Sequence, residues 1–244
     1  MRALGVRNRI LSWKLARVRA RREAAETVGQ DHLSKPALHQ LDVKLNAIID
    51  RDGGFFIEAG ANDGFTQSNT YWLERFRGWR GLLVEPMPEL AAEARLSRPQ
   101  ATVVQCALVS QETGEKVRMR FGDLMSMVDG ARESGWTDFG TALGWRDQYE
   151  LDVQGRTLSA LLDEIGAPEI DLLSLDVEGF EGPALRGLDL GRHAPRYILV
   201  EIHDRERDRP PVEEVLAERY VAHEWLSEWD LLYIRRDTAS GAAG

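Results

Sequence analysis

The stretch of sequence that decides the fold runs from Phe55 to Pro86 and reads FFIEAGANDGFTQSNTYWLERFRGWRGLLVEP. It opens with an apolar run that ends at Glu58, and a turn built around Gly60 follows. A segment that predicts a helix comes next, and a second apolar run then ends at Glu85. This order of strand, glycine turn, helix and strand is typical of the nucleoside-binding unit of a doubly wound sheet. The stretch therefore predicts a cofactor that contains a nucleoside.

Further apolar runs predict the rest of an α/β domain. The runs at 170–177 and 197–202 are almost entirely apolar, as expected of central parallel strands that are buried on both faces. Because strands and helices alternate, the sequence predicts a mostly parallel sheet with helices on both faces. The predicted strands are 55–58, 82–85, 102–109, 116–121, 170–177, 197–202, 221–226 and 229–235, and the predicted helices are 70–77, 89–97, 158–165, 183–188 and 212–219.

Composition limits the classes of protein that fit this chain. Its 244 residues carry a net charge of -9, which argues against broad nucleic-acid binding by the main domain. The single cysteine, Cys106, cannot form an intrachain disulfide, as is usual in a reducing compartment. No run approaches the roughly 18–20 apolar residues of a membrane span, and the N-terminus lacks the apolar core of a secretory signal. These features predict a cytoplasmic protein.

The sequence divides into three regions. Residues 1–50 are predicted to form a helical N-terminal segment, residues 53–236 the α/β domain, and residues 237–244 a disordered tail. Residues 1–22 contain eight arginines and lysines and no acid, and their apolar side chains recur at roughly helical spacing. Such a basic amphipathic helix fits the anionic inner surface of a membrane or the groove of a partner. Packing of this helix on its own domain is the alternative.

Ligands of a parallel sheet bind beyond the carboxyl ends of the strands, so the residues after each apolar run are candidates for a site. The first turn has Asn62 and Asp63 where the dinucleotide fingerprint requires a glycine against the pyrophosphate. An acidic turn without that glycine suits a cofactor without phosphates, such as S-adenosylmethionine with its positive sulfonium and ammonium groups. Glu85 is placed to accept hydrogen bonds from two ribose hydroxyls. A nucleotide-dependent oxidoreductase is the alternative, and the missing glycine argues against it.

Four blocks of the sequence resemble the FkbM family of S-adenosylmethionine-dependent methyltransferases in their order and spacing. These blocks are EAGANDGFTQSNTYWLE, GWRGLLVEPMPEL, IDLLSLDVEGFEGPALRG and ILVEIH. The likeness covers residues 53–235 and leaves out the N-terminal segment. It implies the class I methyltransferase fold, a Rossmann-like and mostly parallel sheet of seven strands. It also implies O-methylation, with a hydroxyl of a saccharide, glycan or polyketide-like molecule as the methyl acceptor.

The resemblance also implies roles for individual residues. The second acidic signature of the family is matched by Asp176, Glu178, Gly179 and Glu181. The implied cofactor-binding residues are Glu58, Gly60, Asn62, Asp63 and Gly64 in the turn, Ser68 and Asn69 at the start of the following helix, and Glu85 for the ribose. Ala107 is a further candidate because it lies at the same edge of the predicted sheet.

Methyl transfer to a hydroxyl requires alignment of the two partners and removal of a proton from the acceptor oxygen. His203 is the candidate general base because the ordinary pKa of histidine lies near neutrality. Asp176, Glu178 and Glu201 are the carboxylates that would orient it or hold the acceptor. A second arrangement is a Mg²⁺ site made by Asp176, Glu201 and either His203 or Asp204.

Three further alternatives stay open at the level of sequence. His203 has a purely structural interpretation, in which it only pairs with a neighbouring carboxylate. The long aromatic segment 121–149 predicts a substrate lid or an excursion packed on the domain. The whole protein also fits a methyltransferase-like scaffold that binds the cofactor without turnover, and the identity of the methyl acceptor is not readable.

Overall fold

The computed structural model describes residues 16–111, 116–121, 127–128 and 149–241. Within these ranges the chain forms two sheets and eight α-helices. The helices are α1 (16–27), α2 (Leu41–Ile49), α3 (Tyr71–Arg77), α4 (Pro88–Ser97), α5 (Leu158–Ile165), α6 (Glu181–Arg186), α7 (Arg209–Leu216) and α8 (Arg236–Gly241). The strands are β1 (Phe55–Ala59), β2 (Arg80–Val84), β3 (Ala101–Val104), β4 (Ala107–Leu108), β5 (Lys116–Phe121), β6 (Met127–Val128), β7 (Tyr149–Arg156), β8 (Leu172–Leu175), β9 (Tyr197–Glu201), β10 (Tyr220–Trp225) and β11 (Asp230–Arg235).

The main sheet has seven strands in the order β10-β11-β9-β8-β1-β2-β3. All neighbours pair in parallel except β11, which runs antiparallel to both β9 and β10. The class I methyltransferase sheet implied by the resemblance is thereby confirmed. Strand β1 pairs with β2 on one side and with β8 on the other, so the strand order reverses there. A parallel sheet opens a ligand crevice at such a switch point, beyond the carboxyl ends of the strands.

Side chains alternate between two buried clusters on opposite faces of the main sheet. Ile57 packs in the cluster that includes Leu161 of α5 and Leu185 of α6. Its neighbour Phe56 packs in the other cluster, which includes Leu45 of α2. The central strands are therefore covered on both faces, which explains their nearly continuous apolar sequence. Within the described ranges, no helix is long and apolar enough to span a bilayer.

The described part of the basic N-terminal helix packs on the domain. The guanidinium of Arg22 lies 3.5 Å from the centroid of the Phe65 ring, and Arg22 is buried. Glu26 accepts hydrogen bonds from Tyr71 Oη at 2.8 Å and from Arg75 Nη2 at 2.6 Å. Helix α1 thus rests on α3 and on the turn after β1, while residues 1–15 lie outside the described residues.

Two sequence predictions about the domain need correction. The single strand predicted at 102–109 is divided into β3, at the edge of the main sheet, and β4, which pairs with β7. Strand β4 belongs to a second sheet of order β4-β7-β5-β6. Residues 236–241 form α8 where a disordered tail is predicted, because Arg236 donates from Nη2 to Ala217 O and from Nε to Glu218 O and ties the segment to the domain.

Helices α6 and α7 begin earlier than the sequence predicts, at Glu181 and Arg209. Prolines occupy their first turns, where a missing N–H costs nothing because that donor has no partner within the helix. The segment predicted as a substrate lid, 121–149, lies outside the described residues except for parts of β5, β6 and β7.

Candidate active site

Gly60 brings β1 and β8 together at the switch point. Its backbone has a φ of +84°, and its N–H donates to the carbonyl of Val84 at 3.0 Å. A Cβ at this position would lie only 1.8 Å from the carbonyl oxygen of Asp176. Glycine is therefore required both by the backbone conformation and by the close approach of the two chains. The turn predicted to bind the cofactor is thus fixed against Asp176, the residue that follows β8.

Glu58 shapes this turn from inside the protein. Its Oε2 accepts hydrogen bonds from Ser68 Oγ at 2.8 Å and from Thr70 Oγ1 at 2.6 Å. Its Oε1 accepts from the backbone N–H of Asn69 at 2.7 Å, and Arg98 Nη1 lies 3.3 Å from Oε2. Ser68 Oγ also accepts from the N–H of Tyr71, the first residue of α3, at 3.0 Å. Both carboxylate oxygens of Glu58 are occupied by the fold, so Glu58 and Ser68 position the turn.

Asp63 and Gly64 also serve the turn itself. Oδ1 of Asp63 accepts from the N–H groups of Phe65 and Thr66, at 2.9 and 2.6 Å, and closes the loop on itself. Gly64 has a φ of +78°, and a Cβ there would lie 3.0 Å from Ala94 Cα in α4. The structure therefore gives these two predicted cofactor residues a role in seating the turn against α4.

Glu85 lies at the end of β2 with its carboxylate fixed by two backbone donors. Oε2 accepts from the N–H of Asn62 at 2.8 Å, and Oε1 accepts from the N–H of Met87 at 2.9 Å. Burial raises the pKa of Glu85 to about 7, and the nearby charge of Asp63 adds to the rise. Each carboxylate oxygen can accept a second hydrogen bond. The orientation and the remaining acceptor capacity fit a pair of ribose hydroxyls.

Asn69 carries a buried acceptor that the fold leaves unpaired. Its Nδ2 donates to Ser174 Oγ at 3.0 Å, whereas Oδ1 has no hydrogen-bond partner among the described residues. Asp176 Oδ1 is likewise buried without a partner in the described ranges. Because buried polar atoms are almost always hydrogen-bonded, two such acceptors near one strand end point to a ligand that donates. The ammonium group of S-adenosylmethionine is a donor of this kind.

A cluster of carboxylates and one imidazole follows β8 and β9. His203 Nε2 lies 2.8 Å from Oε2 of Glu201, and both side chains are mostly buried. Burial raises the pKa of Glu201 to about 8, with the charge of Glu178 adding to the rise. Burial also raises the pKa of Asp176 well above its usual range, and the adjacent Glu201 adds to this effect. The structure thus brings all four predicted catalytic residues to one edge of the sheet.

The loop after β8 delivers Glu178 to this cluster. Glu178 and Gly179 both have left-handed backbones, with φ of +56° and +90°. Oε1 of Glu181 accepts from the N–H groups of Val177 and Gly179, at 3.2 and 3.0 Å, and holds this conformation. A left-handed backbone at a residue other than glycine is strained and is typical of functional sites.

Two overlapping groups of side chains at this edge have the chemistry of metal ligands. One ligand atom from each of Glu178, Glu201 and His203 lies within 4.8 Å of the others, and the same holds for Asp176, Glu181 and Glu201. The set of three carboxylates suits a hard cation such as Mg²⁺, whereas the set with an imidazole suits a transition metal.

Two predicted site residues lie elsewhere. Asp204 does not join the candidate ligands, because its Oδ1 accepts from the N–H groups of Glu206 and Arg207 and closes the loop after β9. Ala107 pairs with Gly155 in β4 and is buried in the core of the second sheet rather than standing at an open strand end. The division of the predicted third strand moved Ala107 away from the main sheet.

Sequence reasoning missed Trp229 and Asp230, which the structure adds to this edge. Asp230 pairs with Glu201, and the carbonyl of Trp229 accepts from the N–H of Ile202 at 2.7 Å. Because β11 is antiparallel to its neighbours, its first residues meet the last residues of β9. A strand was predicted at 229–235, and its antiparallel pairing with β9, which the structure shows, brings both residues to this edge.

The sequence matches the model of the methyltransferase FkbM domain over residues 58–228. The chain belongs to the FkbM methyltransferase family. The matched range contains the turn, Glu85 and the whole acid–histidine cluster, and it leaves out α1 and α2. No curated protein sequence matches the chain. Family membership supports methyl transfer from S-adenosylmethionine and argues against the oxidoreductase alternative.

Solved structures of methyltransferases resemble this FkbM protein at a distance. A TehB-like S-adenosylmethionine-dependent methyltransferase from Corynebacterium glutamicum is 11% identical, with a TM-score of 0.44, over 89% of this chain and 96% of that chain. A methyltransferase from Geobacter sulfurreducens is 14% identical, with a TM-score of 0.45, over 93% and 96%. An O-methyltransferase from Bacillus cereus in complex with S-adenosylhomocysteine is 11% identical, with a TM-score of 0.44, over 89% of each chain. The family assignment rests on the sequence match.

Proposed function

We propose that this protein is an S-adenosylmethionine-dependent O-methyltransferase that acts on a hydroxyl of a saccharide, glycan or polyketide-like acceptor. The observation that carries the proposal is the 2.8 Å contact between His203 Nε2 and Glu201 Oε2 at the edge of the sheet where the cofactor turn also lies. A base oriented by a carboxylate, next to a cofactor site, is what methylation of a hydroxyl requires.

The cofactor side of the site is assigned from the fold. The turn around Gly60 and the carboxylate of Glu85 would hold the nucleoside, with the ribose hydroxyls donating to Glu85. The unpaired Oδ1 of Asn69 would accept from the ammonium group, whereas the unpaired Oδ1 of Asp176 would accept from the acceptor hydroxyl. The cationic sulfonium would lower the raised pKa values of Asp176 and Glu201 and favour their ionised forms, because opposite charges attract strongly in a partly buried site.

The reaction balances without another reactant. The acceptor oxygen attacks the methyl carbon in line, the carbon–sulfur bond breaks, and its electron pair stays on sulfur to give S-adenosylhomocysteine. The acceptor proton would pass to the other ring nitrogen of His203, Nδ1, because Nε2 faces Glu201 Oε2, and Glu201 would stabilise the imidazolium that forms. Asp176 and Glu178 would hold the acceptor hydroxyl in the line of attack, since misplacement by about 1 Å costs roughly 10²-fold in rate.

The test combines cofactor binding with turnover. Calorimetric titration with S-adenosylhomocysteine measures binding, and transfer of a labelled methyl group to a panel of sugars and polyketides measures activity. His203→Ala is expected to lower kcat by about 10²–10⁴-fold, in line with loss of a general base, and to leave cofactor affinity almost unchanged. His223→Ala, at an exposed position on β10, is the matched control.

The outcomes separate the competing functions. Full turnover by His203→Ala contradicts the role of His203 as base and favours its structural interpretation. Binding of S-adenosylhomocysteine without turnover on the whole panel supports the scaffold alternative. Absence of binding removes the proposal altogether.

We also propose that the carboxylates of this edge hold a divalent cation, which would lower the pKa of the acceptor hydroxyl. The support is the grouping of Asp176, Glu181 and Glu201, whose ligand atoms lie within 4.8 Å of one another. Titration with Mg²⁺ and with Mn²⁺ should give saturable heat in the wild type and none in Glu201→Gln. Equal activity before and after treatment with EDTA, together with absence of binding heat, would count against the cation.

A further inference from the structure

An exposed tryptophan lies beside the acid–histidine cluster. Among the described residues, Trp229 is the one aromatic residue in the set of exposed large apolar side chains, with 37% of its surface accessible. Its ring centroid lies 5.3 Å from that of His203, and the two rings are inclined by 43°. Its four-residue spacing from Trp225 and Tyr233 favours core and strand-edge packing, and in the structure Trp229 lies directly before β11.

The backbone fixes Trp229 at the open edge of the sheet. Its carbonyl accepts from the N–H of Ile202 at 2.7 Å, and its N–H donates to Ser227 Oγ at 3.0 Å. The next residue, Asp230, pairs with Glu201 in the sheet and accepts a hydrogen bond from Ser227 Oγ. The indole therefore has a defined position next to the groups that carry the proposed chemistry.

The N-terminal segment supplies a second ring to this position. The centroid of His39 lies 5.8 Å from that of Trp229, edge to face at 75°. His39 and Gln40 have left-handed backbones, with φ of +52° and +58°, which residues other than glycine rarely adopt and which cluster at ligand-binding sites. Lys44 Nζ donates to the carbonyl of Leu226 at 2.5 Å and ties α2 to the same turn. Two distant parts of the chain thus form one wall of the crevice.

We propose that Trp229 and His39 form an acceptor platform that seats one uncharged sugar ring beside His203 and Glu201. This inference rests on the O-methyltransferase function proposed above and names its substrate class. A sugar ring presents C–H groups on its face and hydroxyls at its rim. The C–H groups carry partial positive charge and pack against the electron-rich face of the indole. The rim hydroxyls donate to the carboxylates and the imidazole.

The charges around the platform select against other acceptors. The charges of Glu178 and Asp230 act on Glu201, and burial raises the pKa values of Glu201, to about 8, and of Asp230. An anionic sugar would add a further negative charge to this buried acidic site, a cost that a neutral sugar avoids. An apolar polyketide would cover the indole and also cover these carboxylates without donating to them, and burial of unpaired polar groups is unfavourable. A neutral ring with hydroxyls is the acceptor that satisfies both the aromatic face and the acidic rim.

The experiment is saturation-transfer difference NMR on the full chain with saturating S-adenosylhomocysteine. The probes are neutral methyl glycosides of several hexoses and, as the anionic comparison, methyl glucuronide. Proteins are the wild type, Trp229→Phe, Trp229→Ala, His39→Ala and the control Leu96→Ala, whose side chain is exposed on α4. Calorimetric affinity for S-adenosylhomocysteine is measured for every variant as the check that the fold is intact.

We expect ring C–H signals from at least one neutral glycoside and none from the glucuronide. Affinity for that glycoside should fall about tenfold in Trp229→Ala, less in Trp229→Phe and His39→Ala, and not in Leu96→Ala. Unchanged glycoside affinity in Trp229→Ala overturns the platform. Absence of saturation-transfer signals from every neutral glycoside, while S-adenosylhomocysteine is bound, also overturns the platform but does not contradict the proposed methyltransferase function. Failure of the wild type to bind S-adenosylhomocysteine would instead sink the proposed function.

Discussion

Glu85 makes cofactor binding dependent on pH in a direction that the structure fixes. Its carboxylate is 4% exposed, and burial raises its pKa to about 7, so the free protein holds a proton on Glu85 below neutrality. Ribose hydroxyls can donate only to lone pairs, and the ionised carboxylate offers the most of these. Binding of S-adenosylhomocysteine should therefore favour the ionised form and release the proton.

The size of the pH effect on cofactor affinity follows from the raised pKa of Glu85. With a pKa near 7 in the free protein, about nine in ten Glu85 side chains are protonated at pH 6 and about one in ten at pH 8. If the complex restores the pKa toward the ordinary value of 4.5, affinity should be about tenfold higher at pH 8 than at pH 6. Roughly half a proton should be released for each molecule bound at pH 7.

The raised pKa of Glu85 also makes the stability of the folded protein depend on pH, but stability falls with rising pH whereas cofactor affinity rises. A raised pKa means that the folded state binds the proton more tightly than the unfolded chain does. The contribution of Glu85 to the free energy of unfolding therefore falls as the pH rises from about 4.5 to about 7. A rise from 4.5 to about 7 corresponds to a loss of about 3 kcal/mol, complete above neutrality. Bound cofactor product should recover part of this stability at pH 8.

The assay is calorimetric titration of S-adenosylhomocysteine at pH 6, 7 and 8, in two buffers with different ionisation enthalpies. Glu85→Gln cannot ionise, so it should bind about 10–100-fold more weakly at pH 8 and lose the pH-dependent component. Glu93→Gln, exposed on α4, should behave as the wild type does. Titration of the acid–histidine cluster affects both proteins and cancels in the comparison. The same pH slope in wild type and Glu85→Gln would refute the reasoning.

Three further predictions test other parts of the structure. Gly60→Ala should abolish binding of S-adenosylhomocysteine or prevent folding, since its Cβ would overlap the carbonyl of Asp176; calorimetry and thermal denaturation report on each. Arg98→Met should lower the free energy of unfolding by about 3–5 kcal/mol in urea titrations, because two buried carboxylates lose their cation, whereas the exposed Arg95→Met should change it by less than about 1 kcal/mol. Deletion of residues 1–15 should reduce co-sedimentation with anionic liposomes, and equal sedimentation would count against membrane contact.

The sequence predicted the main sheet well because its signals are local. Apolar runs closed by an acid mark β2 and β9, and the turn around Gly60 has the spacing of a strand-to-helix connection. The split of the predicted third strand could not be read in the same way. Residues 102–109 are apolar enough for one strand, and pairing of Ala107 with Gly155, far along the chain, decides where it divides.

The site was predicted less evenly than the fold. Edge position alone identifies Asp176, Glu201 and His203, which meet as expected. Position at the edge does not distinguish a carboxylate that faces a ligand from one whose hydrogen bonds are all made within the protein, because both follow a strand. Glu58 is held by partners up to 40 positions away, at Arg98, and only the folded chain brings these together.

At the edge of the main sheet formed by the carboxyl ends of the strands, the carboxylates near β1 and those near β8 have different roles. On the β1 side, Glu58 and Asp63 are saturated by hydrogen bonds and fix the backbone that would face the nucleoside. On the β8 side, Asp176 and Glu201 lie next to each other, and burial together with neighbouring carboxylates raises their pKa values. A sulfonium cation bound beside Asp176 and Glu201 would lower their pKa values and favour the ionised forms. The half of the edge with the raised pKa values is therefore the half where the sulfonium and the acceptor should meet.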